Sequence, residues 1–148
     1  MTALEPQRSG EIRIPRASPI SQPFWEGCDR GVLPYQRCDS CSKANFNPVY
    51  ICRFCTSKSL SWHESAGLGT IYSWTIAWRP QFPSFATPYA PIIVDLDEGY
   101  QMISNLVGCD TEEVHVGMRV STYFHRVADR TLPYFTPLEI SRGVMFGE

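Results

Sequence analysis

Apolar and polar residues alternate in short runs through the second half of the chain, which predicts strands from Gly67 onward. Residues 69–78 (GTIYSWTIAW) are rich in β-branched and aromatic side chains, and residues 90–99 (APIIVDLDEG) follow with a second strand pattern. Because Glu98 and Gly99 form a tight-turn signal, residues 100–108 are expected to pair with the preceding run as a hairpin.

Two further runs, residues 119–128 and 131–140, are predicted to be strands joined by a turn around Asp129. Residues 109–118 predict a short helical turn, because acidic side chains follow Asp110. Five strands with a short helical link between the third and the fourth are typical of a five-stranded OB-fold barrel.

A polar arm and one short helix open the chain. Residues 1–20 are polar and are interrupted by three prolines, which indicates a flexible or surface-wrapping arm. Residues 21–31 (SQPFWEGCDRG) place apolar side chains on one helical face, with Ser21 at the N-cap and Gly31 as the stop. We therefore expect one short amphipathic helix whose apolar face packs on another part of this chain or on a partner.

The segment after the helix contains two Cys-x-x-Cys pairs, formed by Cys38, Cys41, Cys52 and Cys55, which we expect to be carried by two small hairpins. Two such turns can hold one metal ion in a tetrahedron of sulfurs. Four protein ligands leave no position for water or substrate, which favours a structural zinc ion over a catalytic one. Redox iron in a rubredoxin-like site is the alternative, although Ser42 and Thr56 stand where rubredoxins usually have glycine.

These patterns predict a mainly β protein with four parts. In chain order they are a flexible arm (1–20), an N-terminal helix with a rubredoxin-like zinc ribbon (21–62), an OB-fold domain (63–140) and a tail (141–148). We expect the metal to supply the folding energy of the ribbon, because a segment of about 25 residues buries too little apolar surface to fold alone.

The charge balance argues against a protein that binds nucleic acid mainly through phosphates. The chain has 13 Lys and Arg against 15 Asp and Glu, a formal net charge of −2, whereas such proteins normally carry a clear positive excess. A single-stranded nucleic-acid binder stays as the alternative function. OB-fold barrels and zinc ribbons both occur in that class, and basic residues cluster near the cysteines.

The sequence predicts neither a secretory signal nor a membrane span. The first residues lack the apolar core of a secretory signal, and the longest apolar runs are too short to cross a bilayer. Six cysteines in such a chain indicate a reducing compartment and metal binding instead of disulfides. We therefore expect a cytoplasmic protein with no membrane partner.

No set of residues in the sequence predicts catalysis by this chain alone. His63, His115 and His125 are isolated from one another and from any nucleophile motif. Cys28 and Cys109 lie outside the metal cluster, and we interpret both as small buried side chains. We therefore predict no catalytic residue in this chain.

An aromatic, proline-rich loop at residues 79–91 (RPQFPSFATPYAP) stands out between the first two barrel strands. Four prolines stiffen it, and its candidate surface residues are Arg79, Phe82, Phe85 and Tyr89. Pre-stiffened aromatic side chains bury large areas at low entropic cost, which favours a partner or ligand surface. The alternative is that these rings cap the barrel's own core.

The order of these motifs resembles the acyl-CoA-associated zinc-ribbon/OB-fold family, long catalogued as a domain of unknown function. The matching motifs are a FWEG helix, a CxxC…CxxC ribbon, GxGTIYSWT, PYAPIIVDLDEG and SNLVGCDTEEVHVGM, over roughly residues 22–139. All four ribbon cysteines are present, so the resemblance implies zinc binding at each of them.

The resemblance also implies a role as a non-catalytic accessory subunit. Its expected partner is a thiolase-like protein, a thiolase or retro-aldolase, that carries the catalytic residues. The expected pathway class is degradation of a CoA-activated steroid, aromatic or fatty-acid-like compound, with the CoA thioester as a shared ligand. Because thiolase-like proteins usually dimerise, we expect a heterotetramer with two copies of each chain.

Overall fold

The strands of the described residues form two separate sheets. The computed structural model describes residues 2–8 and 12–141, so residues 142–148 of the predicted tail lie outside the described part. The small sheet consists of β1 (Leu33–Cys38), β2 (Ala44–Asn45) and β3 (Leu60–Ser65). The second sheet consists of β4 (Leu68–Trp74), β5 (Ala90–Leu96), β6 (Gln101–Leu106), β7 (Arg119–Val127) and β8 (Arg130–Pro137).

The predicted amphipathic helix is α1 (Gln22–Asp29), and its ends follow the sequence signals. Ser21 occupies the N-cap position, but its hydroxyl accepts a hydrogen bond from the Ser18 amide at 2.9 Å instead of capping the helix. Gly31 has φ +77° and, with the Val32 amide bonded to the Gly27 carbonyl, closes the helix in a left-handed C-terminal turn. A second helix, α2 (Leu138–Ser141), follows β8.

The small sheet has the strand order β2-β1-β3, and both pairings are antiparallel. Only the first Cys-x-x-Cys turn connects two paired strands, β1 and β2. The second lies in an irregular segment, residues 46–59, so the expected pair of hairpins is wrong for this half of the ribbon. The reason is that β1 already pairs along both edges, with β2 on one side and β3 on the other.

The second sheet is a closed barrel with the strand order β4-β5-β6-β8-β7. β4 pairs with both β5 and β7, which closes the ring. β6 and β8 meet in parallel at Leu106 and Phe135. A short 3₁₀-helix, Thr111–Glu113, stands between β6 and β7 where the helical turn was predicted. This topology confirms the five-stranded OB-fold barrel.

The barrel core comes from alternate residues of the strands. In β5 every second side chain is buried, as the sequence APIIVDL predicts. Fully buried core side chains are Ile71, Ile92, Val94, Leu106, Val120 and Phe135. Gly69 permits close contact between β4 and β5, because a Cβ at this position would lie 2.6 Å from the Asp95 carbonyl oxygen.

Aromatic rings join the ribbon to the barrel. Tyr100, at the turn after β5, stacks on Tyr35 of β1 with ring centroids 5.1 Å apart and contacts Phe46 at 5.2 Å. Phe46 in turn contacts Phe24 of α1 at 5.5 Å. The helix, the ribbon and the barrel therefore share one hydrophobic core.

The N-terminal arm lies on the barrel surface over residues 2–8. Its backbone pairs with the segment after β6: the Leu4 amide donates to the Cys109 carbonyl at 2.8 Å, and the Gly108 amide donates to the Leu4 carbonyl at 2.9 Å. The Leu4 side chain is buried in the core. Neither described helix is long and apolar enough to cross a membrane.

Candidate functional site

The fold brings the four predicted metal ligands together. Cys38 Sγ lies 3.5 Å from Cys55 Sγ, Cys41 Sγ lies 3.7 Å from Cys52 Sγ, and all four sulfurs are within 4.8 Å of one another. A tetrahedral zinc ion with Zn–S bonds of ~2.3 Å places its sulfurs about 3.8 Å apart. The spacing and the soft donor set therefore fit one zinc ion with no open coordination position.

The two Cys-x-x-Cys turns have the same local conformation. The Ser42 amide bonds to the Cys38 carbonyl, and the Thr56 amide bonds to the Cys52 carbonyl, both at 2.9 Å. Ser42 and Thr56 have φ values of 65° and 64°, the left-handed region that usually favours glycine. The absence of glycine at these two positions therefore does not prevent the rubredoxin-like geometry.

Hydrogen bonds prepare part of the cluster for metal binding. Burial opposes ionisation of Cys52, but the Phe54 amide and a side-chain amide together lower the pKa of its thiol to about 6. The Cys41 amide lowers the pKa of the Cys38 thiol. A backbone amide acts in the same direction on Cys55, but desolvation and the three neighbouring sulfurs raise the pKa of its thiol to about 12. A bound divalent cation offsets the unfavourable interaction between the neighbouring sulfurs, because it displaces the remaining protons and stabilises the thiolates.

Asn45 supplies the side-chain amide beside Cys52 and was not predicted from the sequence. It is 1% exposed. Its Nδ2 donates to Cys52 Sγ at 3.4 Å and to the Lys43 carbonyl at 3.2 Å, and its Oδ1 accepts from the Arg53 amide at 3.1 Å. Asn45 therefore connects the two turns and orients a ligand sulfur. No local pattern distinguishes it from the exposed Asn47.

Four basic residues lie in the segment that carries the metal ligands. A zinc ion with four thiolates has a net charge of −2, and Arg37, Lys43, Arg53 and Lys58 lie in the same segment. The Arg37 guanidinium donates to the Ser42 carbonyl at 2.6 Å, and the Lys43 ammonium lies 4.8 Å from the Phe54 ring centroid. Four cations in this segment oppose the charge of the loaded site, so their clustering does not by itself indicate nucleic-acid binding.

The two cysteines outside the cluster are buried, as predicted. Burial raises the pKa of the Cys28 thiol to about 12 and that of the Cys109 thiol to about 11. Both are thiols at neutral pH and are unsuited to nucleophilic attack. Two of the histidines bond to backbone carbonyls: His115 Nδ1 to Glu113 at 2.8 Å, and His125 Nε2 to Gln7 at 2.6 Å.

The predicted surface loop is the tip of an extended β4–β5 hairpin. Regular strand β4 ends at Trp74, earlier than the predicted residue 78, but antiparallel contacts continue. The Thr75 amide donates to the Pro91 carbonyl at 3.0 Å, and Ala77 and Tyr89 form an isolated bridge. The hairpin therefore extends beyond the barrel and presents residues 79–88 at its end.

The loop brings its three aromatic rings into one row. Phe82 and Phe85 have centroids 5.8 Å apart, and Phe85 and Tyr89 have centroids 5.7 Å apart. Phe82 is 50% exposed, and the guanidinium of Arg13 lies 6.0 Å from its centroid. Arg79 is also exposed. Among the described residues, the side chains packed on the two core clusters do not include this row.

Family comparisons agree with both parts of this architecture. The rubredoxin-like zinc ribbon domain of ChsH2 matches residues 25–61, and the C-terminal OB-fold domain of ChsH2 matches residues 62–125. A probable enoyl-CoA hydratase alpha subunit of Thermomonospora curvata is 34% identical over 116 residues, which are 77% of this chain and 36% of that protein. The chain thus spans little more than a third of this relative.

Other relatives match over most of their length. A DUF35 domain-containing scaffold protein of Methanothermobacter thermautotrophicus is 31% identical over 100 residues, 66% of this chain and 74% of that protein. A chain of the solved Ltp2-ChsH2(DUF35) aldolase superposes with a TM-score of 0.77 at 31% identity, covering 84% of this chain and 98% of that one. The two domain matches in this order show that the chain belongs to the ChsH2/DUF35 family of zinc-ribbon and OB-fold proteins.

Proposed function

We propose that this chain is a non-catalytic accessory subunit of an acyl-CoA-processing complex and pairs with a thiolase-like protein, a thiolase or retro-aldolase. The observation that carries the proposal is the 31% identity over 98% of a chain in the Ltp2-ChsH2(DUF35) aldolase, whose name joins a DUF35 protein to a second protein. The closed metal site and the buried, protonated Cys28 and Cys109 support a division of labour in which the partner performs the chemistry.

The substrate class is a CoA-activated steroid, aromatic or fatty-acid-like compound undergoing degradation. Two relatives support this class: the Thermomonospora curvata protein is named as an enoyl-CoA hydratase subunit, and one from Mycobacterium tuberculosis as a 3-oxo-4,17-pregnadiene-20-carboxyl-CoA hydratase alpha subunit. The chain spans 36% and 37% of these proteins. In this proposal the CoA thioester is bound by the complex, and zinc keeps the ribbon folded.

Co-expression with a thiolase-like protein, sought first among the genes beside this one, tests the proposal. We expect one complex of two copies of each chain, measured by size-exclusion chromatography with light scattering, and acyl-CoA cleavage activity that needs both chains. The proposal fails if each protein is monodisperse and fully active alone. Salt-sensitive binding of an oligonucleotide in place of complex formation would instead support the nucleic-acid alternative.

A further inference from the structure

The β4–β5 hairpin has the composition of the centre of a protein interface. Residues 72–93 contain six aromatic residues and a single charged residue, Arg79, although 19% of the whole chain is charged. The fully buried part of protein–protein interfaces is depleted in Lys, Glu and Asp and enriched in Tyr, Trp, Phe and Arg. The hairpin therefore differs from an ordinary solvated loop.

Several of these aromatic side chains are exposed on the hairpin. Tyr72 is 57% exposed, Trp78 59%, Phe82 50% and Trp74 40%. Because aromatic side chains bury ~150–250 Å² each, these four leave roughly 400 Å² of apolar surface uncovered. A stable interface uses about 800 Å² per partner. Together the four exposed rings of the hairpin therefore offer about half of that area.

The N-terminal arm holds the tip of this hairpin in place. Gln7 is 2% exposed, and its side chain makes two hydrogen bonds to the backbone of Ala86. Gln7 Nε2 donates to the Ala86 carbonyl at 2.9 Å, and the Ala86 backbone amide donates to Gln7 Oε1 at 2.8 Å. The Gln7 carbonyl accepts from His125 Nε2 on β7 at 2.6 Å. The arm therefore ties the loop to the barrel wall and lowers the entropic cost of docking.

The charges of the surface select the kind of occupant. The hairpin carries Arg79, the arm contributes Arg13 over the Phe82 ring, and residues 12–23 and 72–93 contain no acidic residue. Beside Gln7 the arm adds one acidic residue, Glu5, and one basic residue, Arg8, so the basic excess is unchanged. In a two-fold contact between copies of this chain, the same patch would face itself and bring like charges together. An apolar surface with an acidic rim on a different protein is complementary to it.

We infer that the hairpin, through its exposed side chains Tyr72, Trp74, Trp78 and Phe82 and with its tip held by Gln7, is where the partner subunit docks. This inference rests on the proposed function and names the surface through which that function is exerted. The occupant is an apolar, acidic-rimmed surface of the thiolase-like chain.

The test uses the co-expressed complex and measures its dissociation constant by sedimentation on dilution. Phe82→Ser and Trp78→Ser are each expected to raise the constant about 30-fold, the effect of a central aromatic anchor. Tyr50→Ser is the matched control, because Tyr50 is 71% exposed in the zinc ribbon, two residues before Cys52, and its substitution should leave the constant unchanged. If all three substitutions raise the constant equally, or if none of them changes it, the inference about the surface is overturned. Formation of the complex by the wild-type chains would still support the proposed function.

Gln7→Ala tests the role of the arm separately. It is expected to raise the dissociation constant about fivefold and to speed amide exchange in the peptide covering residues 79–91 by about tenfold or more. Exchange in β5 and β6 should stay unchanged, which distinguishes local release of the loop from general unfolding. Unchanged exchange in the loop peptide would overturn the role assigned to Gln7.

Two further outcomes identify a different occupant and overturn the inference. One is a homodimer of the isolated chain that Phe82→Ser dissociates, which would place a second copy on the surface. The other is binding of fluorescein-labelled oligo-dT that the same substitution abolishes, which would assign the rings to base stacking. If wild-type chains form no complex with the thiolase-like protein, the proposed function itself fails.

Discussion

Asn45 shows how one buried amide supports the metal site. It bonds a ligand sulfur and two backbone groups from different cysteine turns, so its removal leaves the Arg53 amide and the Cys52 sulfur without these partners. Groups that orient metal ligands typically contribute 10–100-fold to metal affinity. At this scale the structure adds a residue that the cysteine spacing does not indicate.

Asn45→Ala is therefore expected to weaken zinc binding by about 10–100-fold. The measurement is transfer of zinc to a chromogenic chelator, which reports on the metal and not on activity. Asn47→Ala is the control, because Asn47 is exposed two residues away. Equal zinc affinity of the two variants would show that the Asn45 hydrogen bonds do not orient the cysteine turns.

At the scale of elements, helix α1 docks through a glycine. Gly27 is buried on the helix face that meets β1, and a Cβ at this position would overlap the Pro34 ring. The helix end is also fixed to the barrel, because the Thr131 amide donates to Asp29 Oδ1 at 2.9 Å and Arg130 donates to Oδ2 at 3.1 Å. The helix therefore has little freedom to move away from β1.

Gly27→Ala is expected to destabilise the protein, although helix propensity alone predicts that it would stabilise the helix. In an exposed helix this change stabilises by about 1 kcal/mol, but overpacking against Pro34 is expected to destabilise the protein by about 1–3 kcal/mol. The free energy of unfolding is measured by denaturant titration. Glu26→Ala, on the exposed face of the same helix, should stay within about 0.5 kcal/mol of the wild type. Stabilisation by Gly27→Ala would show that α1 is not held against β1.

At the scale of the whole molecule, zinc is expected to act on the barrel through the aromatic contacts of Tyr100. This ring is 6% exposed because Tyr35 and Phe46 of the ribbon cover it. A ribbon without its metal lacks the binding energy that holds so small a unit folded. Loss of the ribbon is therefore expected to uncover Tyr100, while the strand pairings that close the barrel lie outside the ribbon and should remain.

Removal of zinc by a chelator should therefore abolish amide protection in β1 and β3 and keep it in β5 and β6. Uncovering Tyr100 should lower the stability of the barrel by about 1.5–3 kcal/mol.

Cys41→Ser should reproduce both effects, lose the metal and reduce the yield of the complex, with activity falling in proportion. Cys109→Ala is the control that keeps the metal. Normal assembly with lost turnover in Cys41→Ser would instead indicate a catalytic metal.

Local patterns determined the elements of this protein and most of its metal site. Alternating residues in β5, the Gly31 helix stop and the two Cys-x-x-Cys pairs each act within a few residues, so the sequence alone predicts them. The regular end of β4 at Trp74 was missed, because the hairpin continues with the same kind of residues.

Only the tertiary structure decided which distant residues meet. Asn45 at Cys52, Gln7 at Ala86 and Tyr100 between ribbon and barrel depend on contacts between separate elements. Gln7 and Ala86 are 79 positions apart, and this long separation leaves no periodic signal in the sequence. The reason is physical: spacing encodes which side chains share a face, whereas packing in three dimensions decides what that face meets.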